Sequence, residues 1–314
     1  MKWKKPIFII GCPRSGTSMA LQIMALHEKL SWVSNFLNRK PLISQISILN
    51  RVYELPLIGK HLYIKATQNG TMLSRRIKRY FPLPAEPWNF WNSYLSNFQW
   101  ERGGNTPPRR RTSLDITDQE INNIKESIDS LQQAQGKDRF ISRYTDFPRM
   151  TYLTQAFPDA LFVHIVRDGR AVAASYHKEI KSGQFGTWNE REWWIRGWPT
   201  EWRNKWQNQF GTPLSFVAFQ WKFFVGEIFK DAEEISSEQY IEIKYSDIIS
   251  SPIATLKEIF AFCKLKQSRR VEWYLNNISL ENRNYKWKER YSDSDKRELD
   301  RVICEPEFRK LLNE

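Results

Sequence analysis

The sequence predicts an α/β protein: a central, largely parallel sheet flanked by helices, interrupted by an aromatic-rich insertion. Three observations predict it. The short apolar run Ile7–Ile10 enters a glycine-rich turn and then a stretch with helical spacing. A second run, Leu161–Val166, stops at Arg167-Asp168-Gly169 before Ala171, Val172 and Ala174 resume a helix. A third segment, Tyr240–Tyr245, alternates as a strand does, and Ser251-Pro252 then opens another helix. Strands that alternate with helices imply crossover connections and hence parallel neighbours.

Taken in order, the first helix is marked by Ala20, Leu21, Ile23, Met24 and Leu26, spaced to share one face. Residues from about 80 to 112 scatter Pro, Gly, Asn and Arg among aromatics; they read as an irregular acceptor-side insertion whose length points to function or disorder. Thr117 with Glu120 forms a capping box ahead of Ile121, Ile124, Ile128 and Leu131, which predicts a helix over 118–134. Leu161–Val166 is apolar except for His164, as expected of a strand buried on both faces, so His164 reads as a core residue. Pro252 suits the first turn of a helix that carries Ile253, Leu256, Ile259 and Phe260 on one face. The charged last forty residues are expected on the surface, and residues 1–314 read as one domain without internal repeats.

Composition narrows the chemistry. With 48 Lys and Arg against 35 Asp and Glu, the net charge of +13 favours an anionic partner: nucleotide, nucleic acid, acidic glycan or anionic membrane. Three cysteines, Cys12, Cys263 and Cys304, form neither a disulfide framework nor a zinc pattern. The N-terminus has no signal or spanning segment, so a cytoplasmic protein is expected, with peripheral membrane contact through the basic surface left open. Tryptophans cluster at 88–100 and 188–206; they read first as packed indoles and second as a wall for a flat or amphipathic acceptor.

The chemistry-bearing motif is Gly11-Cys-Pro-Arg-Ser-Gly-Thr-Ser18. It has the glycine spacing of a phosphate-binding loop, but Thr17 occupies the place of the usual lysine. Backbone N–H groups and a helix N-terminus still cradle a phosphate. What is missing is the cation that reaches a β- or γ-phosphate. A donor with one 5′-phosphate and an attached sulfate needs neither that lysine nor a metal-bridged polyphosphate. Arg14 supplies a cation instead, and Ser15, Thr17 and Ser18 supply hydroxyls. A second anion motif pairs Arg167, at a strand end, with Ser175 about two helical turns later.

Three blocks, PIFIIGCPRSGTS, FPDALFVHIVRDGRAVAAS and IEIKYSDIISSPIATLKEIFAFCKL, together resemble the superfamily of sulfotransferases that use 3′-phosphoadenosine 5′-phosphosulfate (PAPS). The resemblance implies a P-loop NTPase-like sulfotransferase fold and transfer of a sulfuryl group to an acceptor hydroxyl without a metal. By the same resemblance Arg14, Ser15, Gly16, Thr17 and Ser18 bind the 5′-phosphosulfate, Arg167 and Ser175 bind the 3′-phosphate, and Tyr245 begins a Tyr-x-Asp segment near the nucleotide. Arg283, Lys286 and Lys288 around Trp287 loosely match a basic stretch that closes over the nucleotide, and a solvated face is the preferred reading there. The resemblance also implies a histidine or glutamate base. Glu86, in Pro-Ala-Glu-Pro-Trp, matches a Pro-x-Glu element and is the assigned base, beside Arg14 as the catalytic cation. Arg143 falls where relatives carry a basic acceptor-side residue.

Three other readings compete: a metal-dependent P-loop kinase, which Thr17 argues against; a nucleic-acid binder, which lacks a recognised module; and a catalytically inactive nucleotide-binding relative. The acceptor is open among glycans, lipids and small natural products, with a slight preference for a carbohydrate or glycolipid hydroxyl. Oligomeric state is not encoded in any motif.

Overall fold

The computed structural model describes residues 5–68, 80–96, 98, 105, 107–183, 188–305 and 308. Five parallel strands form one sheet in the order β2-β3-β1-β4-β5: β1 Ile7–Ile10, β2 Leu30–Trp32, β3 Arg139–Arg143, β4 Leu161–Val166 and β5 Tyr240–Lys244. Strand β1 pairs with β3 from Ile7 opposite Ile141 and with β4 from Ile7 opposite Leu161. Its alternate side chains enter two separate cores. Ile7 and Ile9 join a cluster with Ile23, Met24, Val163 and Ile259, while Phe8 and Ile10 join Trp91, Ile128, Leu131 and Phe162. Both faces are therefore covered, which is why β1 and β4 are apolar without polar alternation.

The helices that position the site follow from local sequence. Helix α1, Thr17–Met24, starts at Gly16 in a left-handed conformation. Helix α2, Asp118–Gln135, has the expected capping box between Thr117 and Glu120 and stops at Gly136 at φ 65°. Asp168 caps helix α3, Gly169–Lys181, by accepting from Arg170 N–H. Helix α4, Pro213–Glu233, packs along α3, with Trp221 lying over Gly169 where a Cβ would approach within 2.7 Å of the indole. A six-residue helix α5, Tyr245–Ser250, and helix α6, Pro252–Phe262, follow β5.

Several expectations change. Strands β2 and β3 were not foreseen, β5 ends at Lys244, and Tyr245 opens α5. The insertion contains a helix, Trp88–Tyr94, that places Phe90 and Trp91 in the core. Arg109, Arg110 and Arg111 from the same stretch are ion-paired with Asp115, Asp231 and Glu234. Trp193, Trp194, Trp198 and Trp206 pack in a third apolar cluster around α4, so these indoles are core and not wall; Trp100 lies outside the described residues. The C-terminal stretch is amphipathic: Trp287, Leu299, Val302 and Ile303 are buried. No helix among the described residues is long and apolar enough to cross a membrane.

His164 is fully buried in β4, with Nδ1 2.6 Å from the Tyr240 hydroxyl. Burial pushes its pKa down to about 3. The folded pKa thus lies below the unfolded one, so the unfolded chain binds more protons between about pH 3 and pH 6.5. Stability from the neutral ring is complete above that window and drains as pH falls. Urea unfolding at pH 7 and pH 4.5 should show the wild type losing about 2 to 3 kcal/mol more than His164→Gln. Equal losses would mean that His164 titrates normally.

Candidate active site

The strand order makes β1 and β4 neighbours whose onward connections leave in opposite directions, β1 toward β2 and β4 toward β5. A crevice opens beyond the carboxyl ends of such a pair. The loop Gly11–Ser18 follows β1 and Arg167 follows β4, so both sequence motifs converge there.

The loop is built around two strained approaches. Gly16 has φ 104°, and a Cβ there would come within 2.6 Å of the Tyr245 ring; at Gly11 a Cβ would meet the Ile165 carbonyl at 2.7 Å. Both positions need glycine. Tyr245 therefore closes the outside of the loop, with its hydroxyl donating to the Glu281 carbonyl at 3.3 Å. Gly16 offers α1 no side-chain cap, and the first turn holds no acidic residue. The positive end of that helix is left to whatever enters the loop.

Arg14 stands at φ 73°, in the left-handed region. Its Nε donates to Ser175 Oγ at 3.0 Å, and its Nη2 pairs with Glu179 at 3.3 Å. Arg167 spans the crevice. Its Nη1 donates to the Arg14 carbonyl at 2.9 Å, its Nε donates to Asn284 Oδ1 at 2.8 Å, and its guanidinium lies 4.3 Å from the Tyr245 ring centroid. Thr17 Oγ1 accepts from Arg143 Nη1 at 3.2 Å, and Arg143 Nη2 pairs with Glu86 at 3.1 Å. Thr145 donates to the other Glu86 oxygen at 2.6 Å. Arg14, Ser15, Gly16, Thr17, Arg167, Ser175, Tyr245 and Glu86 thus belong to one connected constellation, with Ser18 exposed beside it at the start of α1.

Its electrostatics suit an anion. Burial pushes the Arg167 guanidinium below its ordinary pKa; Tyr245 and Asp168 oppose that shift, while Arg14 and Arg283 add to it by like charge. Burial likewise lowers Arg143, with Glu86 opposing and Arg14 reinforcing. Arg14 is therefore within electrostatic reach of both Arg143 and Arg167, a concentration of positive charge that an incoming anion relieves. Two buried polar atoms also lack a partner: Ser15 Oγ, in a residue 1% exposed, and Asn284 Nδ2, in a residue also 1% exposed. Unmet donors of this kind in a crevice fit a group with phosphate or sulfate oxygens.

The histidines are engaged elsewhere. His27 faces the Lys266 carbonyl, His164 pairs with Tyr240, His177 pairs with Tyr291, and His61 packs edge-on against Trp273. Burial holds His177 down to about 4. Cys12, although it lies in the loop, is buried, and desolvation raises its thiol well above the usual value, so it is not a thiolate.

Sequence reasoning missed Asn284, because its neighbourhood was read for charge alone. Arg283 and Lys286 pair with Glu281 on the surface, as a solvated face does, while the asparagine between them turns inward. Arg143 was placed on the acceptor side, but its link from Glu86 to Thr17 needed β3, which the pattern did not reveal.

A family model described as the sulfotransferase family matches residues 6–269. Among solved structures, sulfotransferase STF9 from Mycobacterium avium aligns with a TM-score of 0.55 at 13% identity, covering 97% of this chain and 76% of that one. Sulfotransferase STF1 from Mycobacterium tuberculosis aligns more loosely, at 0.48 and 14% identity, over 95% and 76% of the two chains. Mouse sulfotransferase SULT7A1 complexed with PAP aligns more loosely still, at 0.44 and 10% identity, over 96% and 84%. No curated protein matches the sequence. With most of its length matched by the family model, the chain belongs to the sulfotransferase family.

Proposed function

We propose that the chain transfers a sulfuryl group from PAPS to an acceptor hydroxyl at the crevice between β1 and β4. The observation that carries this reading is the contact of two anion motifs far apart in sequence: Arg167 Nη1 on the Arg14 carbonyl, across 153 residues, at 2.9 Å. A nucleotide with separate 5′ and 3′ anionic groups uses both motifs at once, and Thr17 in place of a lysine suits a 5′ group that is not a polyphosphate. Ser15 Oγ, Thr17 Oγ1, Ser18 and the α1 N-terminus hold the 5′ side. Arg167 and Ser175 hold the 3′ side, with Asn284 fixing the Arg167 guanidinium.

The donor supplies an activated sulfuryl group and a bisphosphate leaving group. The protein's own contribution is positioning and charge. Arg14 offers its guanidinium to charge that develops on the leaving side. Glu86, oriented by Thr145 and Arg143, takes the acceptor proton. The acceptor is a hydroxyl compound, with an acidic carbohydrate or glycolipid favoured by the +13 charge over a neutral small molecule.

Calorimetry without metal tests the donor site. The protein should bind 3′,5′-adenosine bisphosphate more tightly than 5′-AMP or ATP. In Arg167→Ala that preference should shrink by about tenfold to a hundredfold, the weight of a charge-assisted hydrogen bond. The ratio between bisphosphate and 5′-AMP isolates the 3′-phosphate from any general loosening of the loop. Equal binding of all three, or ATP binding that requires Mg²⁺, would refute the reading.

A further inference from the structure

The segment from Leu42 to Ile58 folds with its polarity reversed. Within it, Ser44–Glu54 forms an 11-residue 3₁₀ helix. This helix type has three residues per turn, so every third residue shares a face. The inward face is Ser44, Ser47, Asn50 and Tyr53, all buried. Each is hydrogen-bonded into the fold: Ser44 to Ser127, Ser47 to the Ser44 and Leu131 carbonyls, Asn50 to the Trp32 carbonyl, and Tyr53 to the Pro82 carbonyl. Seven apolar side chains of the segment are exposed instead, while Val52 packs on the core. Ile48 and Leu49 are exposed on the helix, Leu42 and Ile43 precede it, and Leu55, Leu57 and Ile58 follow it.

Among the described residues ten large hydrophobic side chains are exposed, and these seven make up most of them. Leu42 is 72% exposed and Leu57 86%. Leu57 also holds a left-handed φ of 64°, an uncommon state for a leucine, at the tip of the turn after the helix. Scattered surface leucines need no explanation, but seven exposed apolar side chains on one 17-residue segment with a hydrogen-bonded polar underside do.

Charge selects the occupant. Between Lys29 and Lys65 the chain carries six basic residues, Lys29, Arg39, Lys40, Arg51, Lys60 and Lys65, and one acidic residue, Glu54. That one carboxylate is paired with Arg51 and Lys137. A second copy of the chain would bring the same positive charge against itself. A bilayer with anionic headgroups offers both an apolar interior for the leucines and isoleucines and negative charge for the surrounding Lys and Arg. From this combination we infer that the 42–58 face docks the protein on the surface of an anionic lipid membrane, with the apolar side chains inserted and Arg39, Lys40, Arg51 and Lys60 at headgroup level.

The inference is independent of the donor chemistry. It is tested with the full chain, by co-sedimentation with vesicles of phosphatidylcholine alone and of phosphatidylcholine mixed with phosphatidylserine. The wild type should pellet with the mixed vesicles and remain in solution with the neutral ones, and added salt should weaken the association. Ile48→Glu, Leu49→Glu and Leu57→Glu together should lower partition about tenfold or more, while bisphosphate binding and the unfolding midpoint stay near wild type. Arg39→Glu with Lys40→Glu should lower it without touching the apolar face. A wild type that ignores both vesicles overturns the inference, as does binding unaffected by either set. Sedimentation velocity adds the last arm: a dimer that the triple variant dissolves, without vesicle binding, reassigns the face to a second copy.

Discussion

Replacing Arg14 with alanine is expected to lower turnover about a hundredfold to a thousandfold, the usual weight of one well-placed group on developing charge, while affinity for 3′,5′-adenosine bisphosphate falls less than tenfold. The asymmetry arises from the contacts Arg14 makes before anything binds. Its guanidinium is already satisfied by Ser175 at 3.0 Å and Glu179 at 3.3 Å. A ground-state contact to a phosphate replaces those partners, so its net gain is small. Only charge absent from the ground state adds something new, and interactions of that kind raise turnover without tightening binding. The substitution is also structurally mild. Arg14 is 39% exposed, and alanine bears the same Cβ, so the left-handed backbone at φ 73° costs the same in both proteins. Single-turnover rates at saturating donor, set beside calorimetric affinities, separate the two effects. Parallel losses in rate and affinity would make Arg14 a binding residue, and near-normal turnover would remove it from the chemistry.

How much of this site could be read from sequence depends on how local each part is. The loop after β1 was legible because its requirements sit within about a dozen consecutive residues: a buried strand, two glycines at positions where a Cβ collides, and a helix start. Helix α2 was legible for the same reason, since Thr117 and Glu120 cap each other. Strands β2 and β3 were not. β2 spans three residues. β3 reads RFISR, and a pattern search takes its arginines as solvent-facing ends. In the fold Arg139 is buried because the Lys5 and Cys263 carbonyls accept its protons, and Arg143 is half-buried because Thr17 and Glu86 do. Buried guanidinium groups held by carbonyl, hydroxyl and carboxylate partners invert the hydrophobic code. The 3₁₀ helix at 44–54 inverts it more completely, with serine and asparagine inside. In the site the same limit applies: Asn284 reaches Arg167 across 117 residues and Arg143 reaches Thr17 across 126. No local spacing encodes either contact.

Glu86→Gln should lower turnover by about two to four orders of magnitude, the range for loss of a positioned base. Glutamine keeps the size of the side chain, and its amide oxygen still accepts from Thr145, so the local packing survives. What it removes is the charge opposite Arg143. Because Arg143 also donates to Thr17, the proposed function gives the carboxylate two routes to the rate: it would take a proton, and it would steady the Gly11–Ser18 loop through one guanidinium. The two routes separate experimentally. A base alone predicts lost turnover with unchanged affinity for 3′,5′-adenosine bisphosphate. A positioning role predicts that affinity falls as well, because Thr17 loses its fixed partner, and that Arg143→Lys reproduces the defect. Full activity of Glu86→Gln across pH would exclude both. The histidines offer no ready substitute, since His27, His164 and His177 are buried in hydrogen bonds of their own and His61 packs on Trp273. Under the proposed function, a carboxylate tied to the Gly11–Ser18 loop by Arg143 would also couple the acceptor side of the crevice to the donor side, so that filling the loop would stiffen the proposed base.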